Sequence, residues 1–429
     1  MQKASRLLKI VRPFTRKGWG HWLRFAVLLC VAGYCGHLLS SGRWLTGFRY
    51  AIYKRQLSMR HDASLYPERT ALVLLNDDDY WGDAFQARTP LKRNELGAIV
   101  DKLREAGVNT VALDVDLRSP IPQKPEFEFP DYKAEDDALV AAISRMCDAG
   151  RHVVLSSSVR FGGDGYELMP SIYTGAKKKM PCVKSGYIQL PFDMRRMPGA
   201  LELADGTSID SLSLAVTGIA DPAAHDKAAA KSDKGFRFSE YLTAADFAAP
   251  NGRQFMFNGQ QLKTMSAAAL RNQLADRLVF VGAAWHAFAY GTGPQVDTYN
   301  SPGGMEPGVM LHANYVEAML DRTGTFTPVS DSLAELMEVA LALALAMIGV
   351  LEIHTAWKWA AFAIGIVLSI LFTYSLLQNL GLFLDFLIPM LMIIVHTIVE
   401  ELLKMWHEFH HLKHNAAHRP KLAAVGGEE

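Results

Sequence analysis

Neither sign of charge prevails in this chain: 44 lysines and arginines are matched by 44 aspartates and glutamates among 429 residues. That balance excludes a generally basic nucleic-acid binder and an acidic disordered chain, since each needs a sustained excess of one sign. Cysteine is scarce, at four residues, too few to replace a hydrophobic core with disulfides. No glycine-rich phosphate loop, H-E-x-x-H, G-x-S-x-G or kinase signature occurs. The expectation is a protein that is not an enzyme and has no nucleic-acid partner.

What is present is apolar and clumped. Hydrophobic residues make up 50% of the chain, yet mean hydropathy is only +0.06, an average that hides two populations. Phe25 to Gly42 carries no charge and follows a basic stretch with Lys3, Arg6, Lys9, Arg12, Arg16, Lys17 and Arg24. It reads as an uncleaved membrane anchor rather than a signal peptide, because no small-x-small cleavage site closes it. Near the other end, 334–352, 358–378 and 382–404 read as three further spans, the last two separated by a reversal at Asn379 and Gly381. Basic residues at both ends place both termini in the cytoplasm by the positive-inside rule. The expected organisation is a cytoplasmic N-tail at 1–24, a transmembrane helix at 25–42, an extracytoplasmic domain at 43–330, a three-helix bundle at 331–404 and a His-rich tail at 405–429. The bilayer expected is the bacterial inner membrane, with the large domain periplasmic or extracellular.

Within the external part the pattern alternates. An amphipathic helix is expected around 48–60. Thr70 to Leu75, Val108 to Leu113, His152 to Ser157, Gly186 to Leu190 and Arg277 to Gly282 read as buried strands. Arg93 to Ala106, Ala134 to Met146 and Met310 to Leu320 have helical spacing. Continuous apolar strands between helices predict an α/β domain with a mainly parallel sheet. Ala223 to Lys234 reads as a loop or insertion. Cys147 and Cys182 fall in this part, where they either pair or remain as two buried thiols; spacing alone does not decide.

Several segments, in order, resemble the CHASE2 sensor family. They are Leu72 to Asp78, Arg93 with Leu96 to Gly107, Val111 to Val115, Asp136 to Leu139, Asp193 with Arg195 and Arg196, Leu278 to Ala283, and Pro307-Gly308-Val309-Met310-Leu311-His312-Ala313-Asn314. The last is similar to the family's P-G-V-x-x-H-A-N segment. The resemblance covers about 45–405 and implies an N-terminal anchor, an extracytoplasmic sensory domain and three closing transmembrane helices. Thr89-Pro90-Leu91-Lys92-Arg93 stands where the family often has a Trp-Pro-Trp-like segment, so the ligand-facing surface is expected to differ. Family members usually continue into an output domain; here only 405–429 follow the last span, and the signal is expected to pass to a separately encoded protein.

Candidate chemistry sits at strand ends. Asp77, Asp78 and Asp79 follow one strand, and Asp114 and Asp116 close the next. In a parallel sheet these ends share one edge, where ligands bind. The five carboxylates could hold a divalent cation, meet a cationic ligand or pair with Arg93; the commoner fate of such residues is to cap turns and helix starts. His312 and Asn314 are candidate ligand contacts or packed, hydrogen-bonded helix residues. His286 and Asp297 border a Gly-rich loop from Gly291 to Gly304. Asp385 and His396 are polar groups inside the spans. His407, His410, His411 and His414 share one face of a helix and form a candidate metal stripe or a juxtamembrane face. The leading reading is a receptor for an extracytoplasmic ligand or envelope state, with the bilayer, a protein partner and a second copy of the chain as associates. The alternatives are an assembly subunit of a membrane complex and an ion- or proton-coupled transport component.

Overall fold

A computed structural model describes residues 66–118, 132–171, 180–190, 198–230, 237–238, 242–248, 253–289, 291–301, 304–320 and 325–328, with scattered residues from 336 to 410. Its contacts divide the chain into a unit at Tyr50–Pro328 and a second unit formed by the two ends. The candidate spans at 25–42, 334–352 and 382–404, the expected amphipathic helix, Asp193, Arg195, Arg196, Asp385, His396, His407, His411 and His414 lie outside the described residues, apart from isolated positions within the last two of these spans.

The first unit is built on six parallel strands. In chain order they are β1 (Thr70–Leu75), β2 (Thr110–Asp114), β3 (His152–Ser157), β4 (Val183–Tyr187), β5 (Met256–Phe257) and β6 (Leu278–Ala283). In space the order is β5-β1-β6-β2-β3-β4. Every neighbouring pair is parallel. The mainly parallel α/β sheet expected from the sequence is therefore present. Consecutive strand residues point to opposite faces, and all five residues of β2 are buried, as are the first five of β6. Both faces are thus covered, which is why these strands are continuously apolar rather than alternating.

The helices, in chain order, are α1 (Asp77–Tyr80), α2 (Arg93–Glu105), α3 (Tyr132–Asp148), α4 (Leu212–Ala220), α5 (Pro222–Ala229), α6 (Ala244–Ala248), α7 (Gly259–Thr264), α8 (Ala267–Leu274) and α9 (Gly308–Leu320). Helix α2 buries Leu96, Ile99, Val100 and Leu103, one stripe at helical spacing. Helices α4 and α9 pack on each other and on the central strands. At Gly282, near the end of β6, an added Cβ would lie 2.6 Å from Cβ of Val309. The glycine lets α9 lie directly on the central strand.

Two details depart from expectation. The stretch taken as a loop from Ala223 begins with a helix: Asp221 accepts from the Ala223 and Ala224 amides, and Pro222 occupies the first turn. The fourth strand is displaced to Val183–Tyr187, because Gly186 and Tyr187 are its buried end rather than its start. Cys147 and Cys182 lie with Cα atoms 5.6 Å apart and form a disulfide tying the end of α3 to the start of β4.

Candidate functional site

The carboxyl ends of β1, β6 and β2 lie side by side at the middle of the sheet. The chain runs from β1 past one position to β2 and only later fills that position with β6. Ligands of parallel α/β folds bind beyond the carboxyl ends of the strands.

The expected carboxylates reach this edge but go to different partners. After β1, Asn76 caps α1 through a reciprocal box with Asp79. Asp77 accepts from the His286 amide at 2.7 Å and meets the His286 ring Nδ1 at 2.8 Å. Burial alone would raise its pKa; the His286 amide and ring and the Gly291 amide outweigh that and hold the carboxyl below its ordinary range. Asp78 is exposed. Asp79 is buried and accepts from the Gly259 amide at 2.9 Å, so it caps α7. Burial raises its pKa despite those amides. Asp116 is clasped by the Arg118 guanidinium through both oxygens. Burial opposes the ionised form, yet the Arg118 contacts lower its pKa.

Arg93 forms its direct bonds elsewhere, although its charge helps lower the pKa of Asp116. Its side chain is 1% exposed, pairs with Asp136 at the start of α3 and donates to the Arg118 carbonyl. Its amide donates to Glu135 at 3.1 Å. It is a clamp between α2, α3 and the segment after β2. His312 and Asn314 are buried on α9. His312 Nδ1 lies 2.8 Å from the Ser213 hydroxyl, and burial pushes its pKa down to about 4. Asn314 accepts from the Leu242 amide at 2.9 Å and donates to the Leu242 carbonyl at 3.0 Å. Both tie α9 to its neighbours.

Asp114 is different. It closes β2, its residue is 6% exposed, and its Oδ2 is buried with no hydrogen-bond partner among the described residues. Burial first, and the negative charge of Asp297 second, raise its pKa well above the usual value. Asp297 follows the hairpin at His286–Gln295 and has φ 50°. Asp297 is an exposed residue, but its Oδ2 lies against the start of α9 at Gly308 and the Tyr299 hydroxyl donates to its carboxylate. Burial there raises its pKa. Tyr299 is raised in turn, by burial and then by the Asp297 charge. The Gly308 amide, the first of α9, donates to the Asp297 carbonyl at 2.8 Å. An added Cβ at Gly308 would lie 2.7 Å from Asp297 Oδ2 and 3.0 Å from Tyr299 Cε2, so only glycine admits this approach.

The edge therefore contains a partnered pair, Asp77 with His286, and a pair of like charges beside Tyr299. Among the described residues no three His, Cys, Asp or Glu side chains converge to hold a metal ion. Asp79 and Asp77 instead accept from the Gly259 and His286 amides, the capping role noted above as the commoner fate of strand-end aspartates. Of the His stripe only His410 is described; its ring meets the Trp406 ring edge-on at 4.8 Å. Sequence reasoning had noted Asp297 as a loop border and had not singled out Tyr299. The usable signal is a polar Val296-Asp297-Thr298-Tyr299 segment returning from the last central strand toward the start of a helix.

Asp77→Asn is expected to cost about 1 kcal/mol, because it weakens charge-assisted bonds in a half-exposed place. Denaturant unfolding of the full chain at neutral pH measures this, and an unchanged midpoint would contradict the assignment.

The chain matches the CHASE2 domain over residues 25–351 and belongs to that family. Comparison with curated proteins gives no match. Comparison with solved structures gives none either.

Proposed function

We propose that this CHASE2-family chain is a membrane-anchored sensor whose α/β domain lies outside the cytoplasm and whose sensing end is the sheet edge at Asp114 and Asp297. The family's domain is an extracytoplasmic sensory one. The observation that carries the membrane part is a helix with too much apolar surface for water. Described residues within 363–376 are helical, and Ile364, Val367, Leu368, Ile370, Leu371 and Phe372 are all exposed. They do not share one face, so a single docking partner would not cover them, whereas hydrocarbon would. No helix among the described residues is in itself long and apolar enough to cross a membrane. The Cys147–Cys182 disulfide suits an oxidising compartment.

The route from the edge outward is α9. It starts at Gly308 beside Asp297 and runs for 13 residues, about 20 Å. Near its far end, Glu317 accepts from the Arg69 amide and from the Thr70 amide and hydroxyl, where the chain begins β1. Arg277 donates to the carbonyls of Pro67, Glu68 and Thr70 and lies over the Phe255 ring at 4.1 Å. A movement of Gly308 is thus delivered to the place where the chain enters and leaves the domain.

The test is cysteine labelling of intact cells in a Cys30→Ser, Cys35→Ser background. A cysteine replacing Asp226, an exposed residue of α5, is expected to react with a membrane-impermeant maleimide. One replacing Ala417 is expected to react only after permeabilisation. The reverse pattern overturns the topology.

A further inference from the structure

We propose that the Asp114, Asp297 and Tyr299 cluster binds the ammonium group of a primary amine. The inference deepens the sensor reading above by naming a ligand class for the same edge, and it rests on that reading only for its biological role.

The starting point is the orphaned oxygen. A buried carboxylate oxygen without a donor is costly, and native structures contain few of them. Asp114 Oδ2 has none, although it lies at the strand end where parallel folds place ligands. Asp297, whose charge acts on Asp114, is held against the start of α9 by the Gly308 amide on its carbonyl and by the Tyr299 hydroxyl on its carboxylate. A buried carboxylate and a second one whose charge reaches it thus share this edge, and no basic side chain pairs with either among the described residues. Asp114 Oδ2 has neither a cation nor a donor beside it among the described residues.

A primary ammonium supplies both. It carries one charge and three N–H donors. The acceptors available are Asp114 Oδ2, the Asp297 carboxylate and the lone pairs of the Tyr299 oxygen. A hard divalent ion would want six to eight oxygens, and no third acidic or histidine ligand joins this pair among the described residues. A proton on Asp114 would supply one O–H donor and no net positive charge, whereas a primary ammonium supplies three N–H donors and a full charge. The absence of a side chain at Gly308 keeps Asp297 and Tyr299 against the start of α9, so occupation of the site bears directly on that helix.

The experiment is calorimetric titration of the full chain in lipid nanodiscs with methylammonium, putrescine, choline and calcium chlorides, each separately. Saturable binding of methylammonium or putrescine is expected, with none by choline, whose quaternary nitrogen has no N–H. Asp114→Asn should weaken amine binding by about tenfold or more, the scale of one lost charged hydrogen bond. Tyr299→Phe should weaken it less, and Asp116→Asn should leave it unchanged. Unfolding midpoints establish that each variant is folded, and Asp297→Asn serves if Asp114→Asn is not. Absence of amine binding overturns the assignment, as does binding undiminished in Asp114→Asn and Asp297→Asn, or binding of calcium alone. If impermeant labelling places the domain outside and no amine binds, the sensor reading stands and the ligand class falls. If amines bind and the labelling pattern is reversed, the site stands and the sensor topology falls.

Discussion

Arg93→Ala is expected to destabilise the domain by about 2–3 kcal/mol, because Arg93 is fully buried while its partner Asp136 keeps 27% of its side-chain surface and stays partly hydrated. Arg93 is among the largest fully buried side chains, and it satisfies two groups at once, the Asp136 carboxylate and the Arg118 carbonyl. Alanine leaves both without their donor and opens a cavity between α2 and α3. Lysine keeps the charge but not the two-pronged guanidinium, so Arg93→Lys should recover only part of the loss. Because whole domains are stable by only about 5–15 kcal/mol, the alanine variant should unfold at much lower denaturant. Equilibrium unfolding measures it, and a loss below about 1 kcal/mol would show that Arg93 is not the clamp described. The double variant with Asp136→Asn should lose less than the sum of the singles.

The second large effect is a pH dependence with two opposing arms. His312 is buried, and its pKa is pushed down to about 4 from 6.5. The unfolded chain takes up this proton below 6.5 while the folded chain does not until about 4, so stability falls as pH falls through that window. At about 1.4 kcal/mol per pKa unit the loss approaches roughly 3 kcal/mol. Asp114 acts in the other direction. Its pKa is raised in the folded state, so its contribution is fully present below the ordinary carboxylate value of 3.8 and is lost as pH rises through the folded value. Asp79, Asp297 and Glu317 share that sign, each through burial. Asp77, Asp101 and Asp116, with lowered values, lose stability as pH falls below their ordinary 3.8, and Glu135 as it falls below its ordinary 4.5, so only Glu135 adds to the decline at the acid end of the window. His312→Gln should therefore flatten the decline between pH 6.5 and 4, while Asp114→Asn should raise stability at neutral pH and steepen the decline. Midpoints across a pH series decide this; three parallel curves would refute the assignment of both groups. A variant that gains stability by losing a binding group is what a functional carboxylate predicts.

Much of the central sheet can be read along the chain. His152–Ser157 is bounded as expected, and β1 and β6 agree to within a residue. These strands are apolar runs buried on both faces, the strongest signal a parallel sheet gives. The two-residue edge strand Met256–Phe257 is too short to show any period. The placement of the last strand between the first two follows from long-range packing that no local window contains. The site divides in the same way. The aspartates after β1 and β2 are visible as strand-end acids, but which of them caps, which pairs and which stays unpartnered depends on groups far away in sequence. Gly259 serves Asp79, His286 serves Asp77, and Asp297 opposes Asp114. Asp114 is distinguished only by a missing partner, which a sequence cannot display.

The late central strand also governs how the nascent chain can mature. Strands β1 and β2 leave the ribosome early, yet their common neighbour is Leu278–Ala283, with Phe280 facing Leu72 on one side and Ala112 on the other. For the whole length of synthesis between Asp114 and Leu278, two apolar edges wait without the strand that joins them, and edges of this kind invite aggregation. Closing the sheet then requires a contact of long sequence separation, which slows folding. A nascent chain stopped before Leu278 has no smaller domain to fall back on and depends on whatever shelters it until the middle of the sheet arrives.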